Sequence, residues 1–187
     1  MDLFKEILSH ILLNKEVKVD RYIDKAPFVP SDTNKRNARC EEILEIQTWG
    51  LRRRLEHTGC SNVVIGISGG LDSTLALLVA VKAFDALGLD RKGIHAVTMP
   101  GFGTTDRTYL NAVELIKELG CDFKEINISE AVTLHLAQIE HNIENHDVTY
   151  ENAQARQRTY LLMDLANKYN GMVIGTGDMS ELALGWA

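Results

Sequence analysis

VVIGISGGLDS, running from Val63 to Ser73, passes from an apolar β-branched run into a glycine turn and then into a helical pattern. Val63 to Ile67 suits a strand buried on both faces of a parallel sheet. The turn is Ser68-Gly69-Gly70-Leu71-Asp72-Ser73, and a long apolar helical stretch follows from Thr74 to Leu87. Strand, glycine turn and helix together bring backbone N–H groups and the positive end of a helix dipole to bear on phosphate. No Gly-Lys-Ser/Thr ending follows, so the turn is not a Walker A loop, and the dinucleotide spacing G-x-G-x-x-G is absent as well. The loop instead sets two hydroxyls, Ser68 and Ser73, beside one carboxylate, Asp72. A carboxylate among phosphates repels them unless Mg2+ sits between. The loop therefore reads as a magnesium–pyrophosphate cradle; the plainer alternative is a tight turn with Asp72 capping the helix.

Composition sets the outer bounds. The chain has 187 residues, enough for one α/β domain plus an extension, and its 45% hydrophobic and 25% charged content is that of a soluble globular protein. A net charge of −6 argues against a broad nucleic-acid surface. No apolar run reaches membrane-spanning length, and no signal-peptide pattern opens the chain. Cys40, Cys60 and Cys121 form neither a C-x-x-C pair nor a disulfide spacing, which fits a reducing cytoplasm and disfavours a zinc site.

Taken in order, residues 1–16 carry Leu3, Phe4, Ile7, Leu8, Ile11 and Leu12 at helical spacing, and residues 18–34 read as a linker with Pro27 and Pro30. Ser31 or Asp32 caps a helix expected to run to about His57, burying Ile43, Leu44, Ile46, Trp49 and Leu51, with Cys40 near that face. Ile94 to Met99 is the second strand, in which His95 is a packed histidine, and Pro100-Gly101-Phe102-Gly103 opens a loop at its carboxyl end. A helix from Thr105 or Asp106 to Leu119, a strand from Phe123 to Ile128, and a helix capped by Ser129 through about Ile143 come next. His135, His141 and His146 show no zinc spacing and read as surface residues. A long helix from Asp147 to Asn170 ends at Gly171; the fourth strand, Met172 to Ile174, breaks at Gly175-Thr176-Gly177-Asp178, and the chain continues as Met179 to Ala187. This alternation implies a parallel, doubly wound sheet with helices on both faces. If the first and fourth strands are neighbours, their two Gly-Ser/Thr-acid turns share a crevice at a topological switch point.

SGGLDS after a hydrophobic strand resembles the signature of the ATP pyrophosphatases, which cleave ATP to AMP and pyrophosphate and include the NAD, GMP and argininosuccinate synthetases and tRNA thiolases. The segments ENAQARQR (151–158) and GTGDMSELALGWA (175–187) narrow this to a resemblance to NAD synthetase, in particular the synthetase domain of the glutamine-dependent enzymes, over about Val29 to Ala187. The resemblance implies an adenine nucleotide alpha-hydrolase-like fold over residues 35–187, with residues 1–34 as a helical extension and linker. It implies amidation of deamido-NAD+ to NAD+, with ATP adenylating the nicotinate carboxylate and ammonia as the nitrogen donor. By position, Gly66, Ser68, Gly69, Gly70, Leu71, Asp72, Ser73 and Thr176 would contact ATP, and Asp72 and Glu181 would hold Mg2+. Asn152, Arg156, Glu181 and Trp186 would contact deamido-NAD+. No protein nucleophile is expected, and a homo-oligomer is. The family's glutamine-dependent members carry a glutaminase domain upstream and continue well past Leu-Gly-Trp, so a truncated synthetase domain is expected here. The alternatives are a nucleotide-binding or assembly module without turnover, and another ATP pyrophosphatase such as GMP synthetase.

Overall fold

The computed structural model describes residues 21–22, 24–102 and 106–184, with the side chains of 106–108 and 182 left aside. The expected helix at 1–16, the loop tip at 103–105 and Trp186 lie outside the described residues. The chain divides into two compact units, Met1–Cys40 and Glu41–Ala187. In the first, the Ala26 N–H donates to Asp24 Oδ1 at 2.9 Å in a tight turn. The Asp32 carboxylate there accepts the Lys35 N–H at 2.9 Å, the bond of a helix N-cap.

The second unit is built on a four-stranded parallel sheet. After helix α1 (Thr33–Thr58), the chain lays down β1 (Val63–Gly66), α2 (Leu71–Leu87), β2 (Ile94–Thr98) and α3 (Asp106–Glu118). It continues through β3 (Asp122–Glu125), α4 (Ser129–Gln138), α5 (Val148–Lys168), β4 (Met172–Ile174) and α6 (Met179–Leu184). The strand order is β3-β2-β1-β4, every pair parallel. β1 thus lies between β2 and β4, and the order reverses beside it. The doubly wound sheet read from the sequence is observed.

Alternation along β1 splits the core between two faces. Val63 and Ile65 pack with Leu55 of α1, Leu77 and Phe84 of α2, and Ile116 of α3. Val64 points the other way, against Val97 of β2 and Ala166 of α5. Central strands buried on both faces require an unbroken apolar run, which VVI supplies. A third cluster, Ile128, Val132, Leu136, Tyr150 and Ala153, joins α4 to α5.

Several expectations are corrected. Ile43, Ile46 and Trp49 of α1 are exposed at 45%, 65% and 59%, and Cys40 is exposed. Only the later turns of α1, through Leu51 and Leu55, join the core, so the expected apolar face is displaced around the helix. The helix after the glycine turn begins at Leu71, three residues early, because the turn's own backbone already closes the first helical bond, Thr74 N–H to Gly70 O at 3.1 Å. β3 stops at Glu125, although the Ile126 N–H still bonds Thr98 O and the Ile128 N–H bonds Pro100 O, each at 3.0 Å. Ser129 is not the N-cap of α4: Ile128 is, with no side-chain cap bond, and just before it Asn127 Oδ1 accepts the Ser129 N–H at 2.8 Å. α4 ends at Gln138, where Glu140 takes a left-handed φ of 56° and the His141 N–H closes on Leu136 O. His141 is no surface residue: its side chain is 12% exposed and its Nε2 lies 3.1 Å from Asp147 Oδ1. Asp147 also accepts the Thr149 and Tyr150 N–H groups as the N-cap of α5, and the bond to Tyr150 leads in holding its carboxyl below the usual range.

His95 is packed as expected. It lies at the amino end of the sheet, with Nδ1 2.8 Å from Asp122 Oδ2, Nε2 3.0 Å from Asn62 Oδ1, and its ring stacked 3.9 Å from that of Tyr169. Main chain also approaches main chain at this edge. A Cβ on Gly171 would sit 2.4 Å from Asn62 O, so glycine here serves close approach, while Asn170 (φ 51°) takes the left-handed helix end. Gly171→Ala is expected to destabilise the protein by about 1–3 kcal/mol through overpacking. Gly50→Ala, in an open helical position with nothing within 4 Å, should stabilise it by about 0.5–1 kcal/mol. Urea denaturation of the two variants checks this, and the same sign of change in both would contradict it.

Candidate functional site

The loop after β1 is organised by its two serines. Ser73 is buried; its hydroxyl accepts the Ser68 N–H at 3.3 Å, lies 3.2 Å from Ser68 Oγ and donates to Gly70 O at 3.2 Å. The Gly70 N–H donates to Ser68 Oγ at 3.2 Å. These bonds fold the turn onto itself and leave the first N–H groups of α2 without intrahelical partners. Gly69 holds a left-handed φ of 84°, which costs an L-residue about 1–2 kcal/mol. Gly70 sits in the extended region (φ −82°, ψ 170°). Asp72 is not the helix cap: Gly70 is, with no side-chain cap bond, and Asp72 stands in the first turn of α2.

A cleft of about 660 Å3 opens over the carboxyl ends of the strands. From the β1 loop come Gly66, Ile67, Ser68, Asp72 and Ser73, and from beyond β4 come Thr176 and Glu181. The end of β2 adds Thr98, Met99 and Pro100, α3 adds Tyr109 and Ala112, and α5 adds Arg158 and Leu162. The two acidic turns therefore do face one crevice. Thr98 Oγ1 is buried without a partner among the described residues. Gly66 also serves packing, since a Cβ there would lie 3.1 Å from Leu162 and 3.2 Å from Met99.

The acidic groups differ in setting. Asp72 is exposed, with no hydrogen bond or ion pair among the described residues. Glu181 is engaged in a capping box: its Oε2 accepts the Asp178 N–H at 3.0 Å, and Asp178 Oδ1 accepts the Glu181 N–H at 2.9 Å. That bond occupies one carboxylate oxygen. No cluster of three metal-ligating side chains occurs among the described residues. Mg2+ is ordinarily held by one or two carboxylates together with substrate phosphates, so the pair fits a nucleotide-borne magnesium.

The sequence pointed to Asn152 and Arg156 on α5, yet neither lines the cleft. Arg156 is exposed, on the same outer side as Tyr160 and Met163. Arg158 turns inward instead: its Nε donates to Met99 O at 3.3 Å, and burial holds its pKa below the usual arginine value, with Glu151 opposing. Among the described residues it is the cation that lines the cleft, and helical periodicity marks it, because two residues is about 200° of rotation and Arg158 is one turn from Leu162. Tyr109 was missed because no apolar pattern separates a cleft-lining tyrosine from a packing one.

A parallel sheet carrying a glycine loop, a carboxylate pair and an arginine at its switch point is an α/β nucleotide-site architecture. The chain belongs to the NAD synthase family, whose model matches residues 43–187. It is 48% identical over 171 residues to the glutamine-dependent NAD(+) synthetase of Mycobacterium leprae, covering 89% of this chain and 25% of that protein. It is 34% identical over 146 residues to the NH(3)-dependent NAD(+) synthetase of Pyrobaculum aerophilum, covering 78% and 53%. The glutamine-dependent NAD+ synthetase of Acinetobacter baumannii, solved in complex with ADP, superposes with a TM-score of 0.71 at 33% identity over 79% of this chain and 27% of that one. The chain thus spans about a quarter of these glutamine-dependent relatives and half of the ammonia-dependent one.

Gly69→Ala should lower Tm by about 2–8 °C, as a left-handed position taken by a β-carbon. Gly70→Ala should be close to neutral, because its Cβ would meet only Ser68 Oγ, at 3.4 Å. Thermal melts of both variants check the loop geometry; equal losses would contradict it.

Proposed function

We propose that this chain carries the ATP-dependent amidation site for deamido-NAD+, forming NAD+ with release of AMP and pyrophosphate. The observation that carries this reading is that Asp72, after β1, and Glu181, after β4, line the same cleft as Arg158. The Acinetobacter baumannii relative holding ADP supports a nucleotide in this fold.

In this reading the open N–H groups at the start of α2, with Ser68 and Thr176, hold phosphate oxygens. Asp72 and Glu181 would hold Mg2+, which when bound would supply positive charge to the phosphate chain. Arg158, half-buried and bonded only through Nε among the described residues, offers its remaining guanidinium donors to an anionic oxygen at the reacting centre. A nicotinate carboxylate oxygen bonds the α-phosphorus as pyrophosphate leaves with the electron pair of its bridging bond. Ammonia then attacks the acyl carbon, AMP leaves with the electron pair of its bond to that carbon, and the nitrogen gives up one proton to solvent to become the amide. Neither step needs a protein nucleophile. The cysteines agree with this: Cys121 is buried, with its thiol pushed up by that burial, and none of the three lines the cleft. Ammonia therefore comes from solution or from glutamine hydrolysis elsewhere.

Asn152, Arg156 and Trp186 complete this reading as further deamido-NAD+ contacts. Exposed Tyr160 and Met163 on the side of Arg156 favour a homo-oligomer in which a second copy covers that face. Three free cysteines accord with a reducing cytoplasm. Residues 1–34 belong to the reading as an extension preceding the catalytic domain at 35–187.

The test is incubation of the protein with Mg2+–ATP, deamido-NAD+ and ammonium. NAD+, AMP and pyrophosphate should appear in equal amounts and only when all substrates are present. ATP binding without NAD+ formation would favour a nucleotide-binding module, and formation of ADP would overturn the chemistry. In calorimetry, Asp72→Asn should weaken magnesium-dependent ATP binding on the order of tenfold or more. Unchanged binding would remove Asp72 as a ligand.

A further inference from the structure

The cleft is graded along the sheet edge, and the gradient follows the strand order. Over β4 and β1 stand hydroxyls and carboxylates: Thr176, Glu181, Ser68 and Asp72. Towards β2 and β3 the lining becomes mostly apolar, with Met99, Pro100, Ala112 and Tyr109; the polar residues there are Thr98, which is buried, and Arg158, bonded to Met99 O. Adjacent strands are about 4.8 Å apart, so this apolar end lies one to two strand spacings from the phosphate loop. A triphosphate at one end thus leaves its base at the other.

Tyr109 is the aromatic ring of that apolar end. It lies three residues before Ala112 on α3, so both face the same way. Its hydroxyl donates to Glu125 Oε2, and that bond leads in raising the phenol's pKa, which keeps the donor proton in place. Glu125 ends β3 and pairs in register with Thr98 of β2. The ring is therefore tied at its far atom to a strand end, across the sequence from its own helix.

We propose that Tyr109, held by Glu125, forms the base-side wall of the nucleotide site and is a specificity-determining residue for a planar purine. The inference rests on the ATP reading above and adds the group that separates a nucleoside triphosphate from a bare polyphosphate. A tethered ring stacks a base without first losing side-chain freedom. Met99, which also lines the cleft, carries a soft, polarisable thioether for the same heterocycle.

The experiment is calorimetry of the full chain with Mg2+–ATP and, separately, Mg2+–pyrophosphate, which has phosphates and no base. Tyr109→Ala should weaken ATP binding about tenfold, in the range of a lost base–aromatic stack, and leave pyrophosphate binding unchanged. Tyr109→Phe keeps the ring and loses the tether, so its ATP loss should be smaller, and it guards against a folding defect in the alanine variant. Glu125→Gln should behave like Tyr109→Phe. Equal losses for ATP and pyrophosphate would make Tyr109 a structural residue only, and unchanged ATP binding in Tyr109→Ala would remove it from the site. If the unmodified chain binds pyrophosphate and ATP equally, the base wall is refuted while the phosphate cradle stands. If it binds neither, both readings fail.

Discussion

Strand β1 is hydrogen-bonded on both sides, to β2 through Val63↔Ile94 and to β4 through Val63↔Met172, and the rest of the site depends on that pairing. A strand in this place must be apolar on both faces and must end where helices can leave on opposite sides. The reversal of order beside it opens a crevice that neither neighbour fills. The β1 turn and the turn beyond β4 meet there because their strands are neighbours, although more than a hundred residues separate them.

The turn itself illustrates how few side chains the cradle needs. Two serine hydroxyls satisfy the inner polar groups of the loop, with contacts of 3.2–3.3 Å between Ser68, Ser73 and Gly70. The outward N–H groups of α2 are then left for a ligand. Asp72 remains outside this internal network, while Glu181 lies in a capping box with Asp178. Engaging a metal with both oxygens of Glu181 would cost that cap, so the two carboxylates are not equivalent.

Much of this was legible in the sequence, and for a physical reason. A parallel central strand leaves a continuous apolar run, and the glycine turn leaves residues chosen for backbone geometry; both are local signals. Whether β1 and β4 are neighbours was a condition that the sequence left open, since strand order is a long-range property. The first half of α1 misled because its apolar residues have helical spacing without joining the core. Ile46 and Trp49 satisfy the pattern and are exposed. Within α5, rotation turns Arg156 outward and Arg158 into the cleft, a difference that depends on how the helix packs and that the motif alone does not show. His141 was misread because its partner, Asp147, acts in a cap and not in a metal site. Family membership rests on residues 43–187, and the likeness to longer relatives carries the reaction to this chain as a proposal.

The central claim is that the β1 loop and the start of α6 together hold one metal–nucleotide complex. Paramagnetic broadening of backbone amide signals by Mn2+–ATP tests it most directly, since Mn2+ occupies oxygen sites of the magnesium type. Amides of residues 68–73 and 176–181 should broaden together at the same added metal, while those around Asn62 and His95, at the opposite edge of the sheet, stay sharp. Broadening of only one of the two segments, or of the amino edge, would contradict the account.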